Sequence, residues 1–253
     1  MTLVWKSGYS FDSDASTYID AVETADGQAL ETGVRVAIND FVLGCKQDGI
    51  WNAIKASCIL AGARTLDGAL VPLVGTAPTR NGTEGGWNYN RKTGLQGDGS
   101  TNYLDSNRNN NADPQNSNHN AFYRTSTGGV AAQVIVTAFS SGENTFYDNN
   151  TGSYNVRNRS ISVLNSIGTS IAGFAGVSRS SGTQINLRSN ASTTAHLLTS
   201  QTPSSTSVRI FGTSGFARNA GRLSFYSIAE ALDLALLDTR VSNLMTAIGA
   251  AIP

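Results

Sequence analysis

From residue 121 onward the chain advances in short runs that alternate apolar and polar residues. Each run closes on Gly, Asn or Ser, and no other feature restricts the fold as much. The runs fall at 121–124, 130–138, 144–147, 154–164, 171–177, 184–188, 194–198, 208–213 and 222–228, with clear alternation in Val134/Val136 and Ile161/Val163. Turn clusters separate them: Thr127-Gly128-Gly129, Asp148-Asn149-Asn150 and Ser181-Gly182. Period-two strands at a spacing of about ten residues, joined by such turns, predict an antiparallel sandwich or jelly roll. No helix intervenes between strands, which excludes a parallel α/β sheet.

The stretch 94–104, which contains Gly97-Asp98-Gly99, marks the change from helical to strand patterning. It predicts a tight turn opening the first strand of a sheet. Ahead of it, residues 1–12 read as an extended arm, and Asp12, Ser13 and Asp14 offer caps to a first helix with Ala15, Tyr18, Ile19 and Val22 on one face. A second helix carries Val34, Ile38, Phe41, Val42 and Cys45. A third is predicted on Ile50, Trp51, Ile54, Cys58 and Ala61. The proline in 69–75 predicts an edge strand or extended packing segment, and 76–93 a surface loop. Residues 105–120, with seven asparagines, predict an exposed loop. Leu234, Leu237, Val241, Leu244 and Ile248 repeat at helical spacing, with Asp233, Asp238 and Arg240 outside the stripe. The expected fold is therefore mainly β: an antiparallel jelly-roll β-sandwich with an N-terminal three-helix unit and a C-terminal helix. The expected domains are an arm and helical unit at 1–66 and a sandwich with its closing helix at 67–253.

The chain has 253 residues, enough to bury a core without a metal or disulfide staple. Eighteen basic residues balance eighteen acidic ones without runs of like charge. This argues against nucleic-acid and anionic-membrane partners, which need clustered Lys and Arg. Charged residues make up 14% of the chain, against about 25% in ordinary soluble domains. Asn, Ser, Thr and Gly fill the deficit, giving the neutral polar surface common in extracellular and virion-exposed β proteins. No signal peptide and no membrane span are expected. Synthesis in the cytoplasm, with export by assembly into a particle, is the expected route. Cys45 and Cys58 read as buried apolar residues; a disulfide between them stays open.

Chemistry is sparse. A sandwich glycosidase needs two facing carboxylates, yet Glu84, Asp105, Glu143 and Asp148 fall in predicted turns or loops. His119 is expected in the Asn-rich loop and His196 half-exposed on a strand, neither at zinc-ligand spacing. No cofactor is expected; Asp98 is the one candidate for a calcium oxygen, and a plain turn is the stronger reading. Glycan or partner contacts would fall to Trp87, Tyr89, Tyr123 and Tyr147, with Tyr103, Phe122 and Tyr154 also near polar loops. A docking face would fall to Val34, Ile38, Phe41 and Trp51. In each case core packing is the competing reading.

Two stretches, 94–104 and 221–232 (Gly-Arg-Leu-Ser-Phe-Tyr-Ser-Ile-Ala-Glu-Ala-Leu), resemble the early and late strands of a concanavalin A-like lectin/glucanase (laminin G-like) jelly roll. Residues 49–66 resemble a block found in tailed-phage structural proteins beside such domains. The glucanases' paired-glutamate strand motif is absent, so the resemblance implies no catalysis; of their calcium ligands only Asp98 has a comparable place. It implies a non-enzymatic virion surface protein, expected as a capsid decoration (cement) protein and homo-oligomer, such as a trimer, contacting major capsid or tail proteins. The alternatives are a tail fibre or tailspike component binding host glycans, and a glycan-active enzyme.

Overall fold

The computed structural model describes residues 10–128, 133–139, 143–149, 151–212 and 218–253. Most of the expected N-terminal arm, the start of the run at 130–138, Gly129, Asn150 and the end of the run at 208–213 lie outside these residues. Helix α1 (Ser13–Asp26) opens on Asp12, whose carboxylate accepts the Asp14 N–H at 2.9 Å, and stops at Gly27 in the left-handed region. Helix α2 (Thr32–Gln47) follows, then the single turn α3 (Leu66–Ala69) and, at the end, α4 (Leu234–Ala251).

The predicted third helix is corrected. Trp51–Ala53 forms one 3-10 turn, and Ile54–Ile59 is strand β1. A short apolar run fits either period, and long-range pairing decides it. The backbone of β1 pairs with β15 (Arg222–Ala229), for example Cys58 with Tyr226, and both faces of β1 are buried. The expected 1–66 unit thus ends in sheet rather than helix.

The other strands are β2 (Thr79–Asn81), β3 (Asn88–Asn90), β4 (Gly94–Gln96), β5 (Tyr103–Asn109), β6 (Asn118–Ser126), β7 (Gln133–Ala138) and β8 (Asn144–Asp148). Then come β9 (Tyr154–Asn158), β10 (Leu164–Ile167), β11 (Gly173–Arg179), β12 (Gln184–Ser189), β13 (Ser192–Leu197) and β14 (Ser207–Ile210). They form two antiparallel sheets. The first runs β13-β12-β11-β6-β15-β4-β3, with β1 sharing the β4 side of β15; the second runs β10-β9-β8-β7-β14-β5-β2. The run at 154–164 is two strands, and Ile161 between them is 59% exposed.

Residues 94–104 span the two sheets. Leu95 and Gln96 pair with Leu223 and Arg222, while Tyr103 and Leu104 already belong to the second sheet. Between them Asp98 accepts the N–H groups of Ser100, Thr101 and Asn102 at 2.8–2.9 Å, and both hydroxyls of Ser100 and Thr101. Burial would raise this carboxyl, but the Thr101 hydroxyl and the three N–H groups outweigh it and hold it well below the usual range. Both oxygens are engaged within the turn.

One core lies between the sheets, around Phe122, Phe146, Tyr154, Leu104, Ile210 and Tyr226. A second lies between the outer face of the first sheet and the helices, where Phe225, Ala121 and Phe174 meet Val34, Ile38, Phe41, Leu237 and Leu244. Cys45 and Cys58 occupy different cores as free thiols, each pushed up to about 12 by burial. The C-terminal stripe is buried as expected. Asp238, expected outside it, is also buried and binds Arg188 of β12 at 2.7 Å.

The Asn-rich segment is corrected too. Residues 105–120 contain β5 and the start of β6, and Asn110, Asn118 and Asn120 are buried. Asn118 Oδ1 accepts from Asn158 (2.7 Å) and Asn120 (3.1 Å), and Asn144 donates to Asn110 (2.6 Å). Buried amides persist when they satisfy one another. Two buried guanidiniums close this end: Arg159 donates to the carbonyls of Asn110 (2.6 Å) and Asp113 (2.9 Å), and Arg179 to those of Asn158 (2.8 Å) and Ser181 (3.0 Å). Burial brings both down to about 10.

Candidate functional site

Helices cover the outer face of the first sheet, whereas the described helices share no buried core with the outer face of the second. Alternation decides what that open face displays. Leu104, Val208, Ile210, Val136, Phe146 and Val156 point into the interior core. Their neighbours point outward, and they stand in register across five strands: Asp105 opposite Arg209, Arg209 opposite Thr137, Thr137 opposite Thr145, and Thr145 opposite Arg157.

The row is polar and tightly held. Arg157 Nη1 donates to Glu143 at 2.6 Å, and Arg209 Nε lies 3.8 Å from Asp105. The Arg209 and Arg218 guanidiniums lie 4.9 and 5.2 Å from the centre of the Tyr103 ring. Thr137 is only 1% exposed, yet its hydroxyl has no hydrogen-bond partner; the same holds for the Thr145 hydroxyl and Arg157 Nε.

At the β2 edge of this face, Arg80, Asn81, Gly82, Glu84 and Trp87 enclose a pocket of about 210 Å³. Asn81 is the cross-strand partner of Tyr103, which ties the pocket to the row. Its loop is fixed from below by buried Asn102, which accepts the Thr83 N–H at 2.9 Å and donates to the Thr83 carbonyl at 3.0 Å. Gly82 takes φ +100, where a Cβ would come within 2.4 Å of the Thr101 carbonyl. The turn held by Asp98 therefore also shapes the pocket. Trp87 packs edge-on against Phe211, ring centres 5.6 Å apart, and forms the pocket's half-buried wall.

The four aromatic candidates do not converge. Trp87 lines the edge pocket, and half-buried Tyr147 lies on the open face, paired across strands with Asn155. Tyr89 instead donates to the Ala63 carbonyl at 2.7 Å, burial raising its hydroxyl, and Tyr123 packs against the helical core. The helical docking face is corrected: Val34, Ile38 and Phe41 are at most 3% exposed, consumed by contacts within the chain. Trp51 stays half-buried. With Asp14, Thr17 and residues 71–74 it lines a groove of about 330 Å³, continued by a hollow of about 360 Å³ toward Lys46 and Asn52. Lys46 is neutralised there by Asp12 and Asp14 at 2.6 and 2.7 Å.

His119 is not in a loop. It is buried on β6, with Nδ1 2.6 Å from the Glu230 carbonyl and Nε2 2.8 Å from the Ser227 hydroxyl. A carbonyl only accepts, so Nδ1 carries the proton and Nε2 accepts from Ser227. Burial lowers this imidazole to about 4. His196 is half-exposed on β13 as expected. No cluster of three or more His, Cys, Asp or Glu suited to a metal occurs among the described residues, and no described helix is long and apolar enough to cross a membrane. Arg157, Arg209, Thr137 and Thr145 carried no signal in the sequence, because nothing local shows that their strands are neighbours.

No family model matches the sequence, and no curated protein sequence matches it. Among solved structures, a variant of HCR/D is 13% identical with a TM-score of 0.51, over 76% of this chain and 52% of that one. A botulinum neurotoxin serotype D binding domain is 11% identical (TM-score 0.49; 76% and 51% covered). Domain 4 of an extracellular arabinanase from Geobacillus stearothermophilus, in complex with arabinotriose, is 11% identical (TM-score 0.42; 76% and 98% covered). The chain spans about half the length of the first two. The likeness shows a β-sandwich.

Proposed function

We propose that the protein is a non-catalytic carbohydrate-binding module that engages polysaccharide with the open face of its second sheet. One observation carries this reading: an outer sheet face carries an in-register row with partly exposed guanidiniums of Arg157 and Arg209 above buried threonines, and the row runs to a tryptophan-walled edge pocket. Aromatic walls stack on the apolar faces of sugar rings, and planar hydrogen-bonding groups take their hydroxyls. Hydrolysis would need facing carboxylates. Glu84 instead projects into solvent and Glu143 holds Arg157, which supports binding without turnover.

The setting we propose, the surface of a tailed-phage particle, rests on the sequence resemblance at 49–66, 94–104 and 221–232. Of the two virion roles, attachment to host glycans by a tail component is favoured over capsid decoration, because the helical stripe that decoration would dock is buried within the chain. Affinity electrophoresis through gels containing dextran, xylan, arabinan, polygalacturonate or bacterial surface polysaccharide tests the binding. Retardation by at least one polymer, abolished in Trp87→Ala, is expected. Retardation by none, or retardation unchanged in Trp87→Ala, overturns the reading. Few copies per purified particle would fit the tail role; many copies would return the protein to decoration.

A further inference from the structure

The strands that end the two sheets differ in how their outer edges are guarded. An edge offers a row of unpaired N–H and C=O groups to other chains, and short length, charge, a bulge or a covering segment normally protects it. β2 and β3 have three residues each, and β2 carries Arg80. β10 slips register against β9, with Ser166 in the left-handed region at φ +54. The outer side of β1 is taken by residues 73–74, where Ser57 donates to the Val74 carbonyl at 3.0 Å and accepts from Leu73 at 2.9 Å. β13 has none of these guards. Its run, Ser192-Thr193-Thr194-Ala195-His196-Leu197, contains no Lys, Arg, Asp, Glu or Pro and pairs along the whole of β12 without a register shift. The hairpin turn before it, Asn190-Ala191, has φ +48 and +56, and beyond it the Leu198 N–H donates to the Thr183 carbonyl at 2.9 Å. Residues 192, 194, 196 and 198 therefore bond to the neighbouring strand, and Thr193, Ala195 and Leu197 turn their N–H and C=O groups outward. His196 and Thr194 lie opposite interior Ile185 and Leu187, so the side chains of these three stand on the other face of the sheet. All three are exposed, Leu197 by 80%.

We infer that β13 is a dimer edge: it pairs antiparallel with β13 of a second copy of this chain, with Ala195 facing the partner's Ala195 across a two-fold axis. The occupant follows from the edge itself. Outward groups centred on residue 195 are self-complementary under a two-fold, which sets Thr193 opposite the partner's Leu197 and exchanges about six backbone hydrogen bonds. No like charges meet across the join, and exposed Leu197 gains the Thr193 methyl as an apolar neighbour. The axis runs perpendicular to the joined sheet, so both copies turn the outer faces of their second sheets to the same side. The pairing is independent of the carbohydrate reading; on that reading, it gives one particle two binding faces aimed at one polymer.

Analytical ultracentrifugation of the full chain across a concentration series tests the pairing. The mass is expected to rise from that of one chain toward twice that value. Ala195→Lys and Ala195→Glu each set like charges directly opposite one another across the axis, and each alone should stay a monomer. Mixed in equal amounts, the two should restore the doubled mass, which also excludes loss of pairing through misfolding. A monomer at every concentration overturns the inference and leaves the edge to an extended segment of some other protein. A dimer that persists in both single variants overturns it, as does a mixture that stays monomeric. A mass of three copies overturns the two-fold pairing as well.

Discussion

The two outer faces of the sandwich are built from the same alternating strands and have opposite fates. On the first sheet, the outward residues Phe225, Ala121 and Phe174 are covered by α2 and α4, with the Phe41 ring meeting that of Phe225 edge-on at 5.7 Å. On the second, the outward residues are Asp105, Arg209, Thr137, Thr145 and Arg157. The first face is paid for by hydrophobic burial; the second keeps its charged residues in pairs along the row. On the proposed reading, stability and recognition fall to different sides of one fold.

This division has measurable consequences. The largest is on the covered side: Phe41→Ala should destabilise the fold by about 3–5 kcal/mol in denaturant titration, while the folded fraction retains polysaccharide binding. A loss of binding with intact stability would break the division. Next is acid sensitivity through His119, buried and neutral beneath that face. Its folded value near 4 lies below the unfolded value near 6.5, so the unfolded state binds the extra proton. The stability is complete above pH about 6.5 and is lost as pH falls toward about 4, by about 3 kcal/mol. His119→Gln should flatten that slope. Asp98, held below its ordinary range, adds a further loss at lower pH, present above the unfolded carboxylate value and lost as pH falls below it. The smallest effect is on the open side. Thr137→Val removes an unpartnered buried hydroxyl and should leave stability unchanged or raise it by up to about 1 kcal/mol. A clear destabilisation would show that Thr137 is satisfied within the fold.

The succession of strands along the chain from residue 121 onward was largely legible because turn residues punctuate each alternating run. The adjacency of 94–96 and 222–223 agrees with the early- and late-strand places of the jelly roll that the two stretches resemble. Helix against strand was not legible at Ile54–Ile59, where alternate and three-four spacings both place apolar residues and only the unpaired edge of β15 decides. Asparagine misled in the other direction. Its turn preference predicted a loop at 105–120, but Asn118 accepts from Asn158 and Asn110 accepts from Asn144, partners that lie far apart in sequence. Of the proposed site, Trp87 and Tyr147 were singled out from local context, and their role there is part of the proposal. Arg157, Arg209, Thr137 and Thr145 form a row only after β5, β14, β7, β8 and β9 have paired, so no local pattern could reveal them.

The central claim is that polysaccharide is held on the open face and not in the groove beside the helices. Binding isotherms of Trp87→Ala and Trp51→Ala for the same retarding polymer test it most directly. A loss of tenfold or more in Trp87→Ala with unchanged affinity in Trp51→Ala is predicted; the reverse pattern would contradict it.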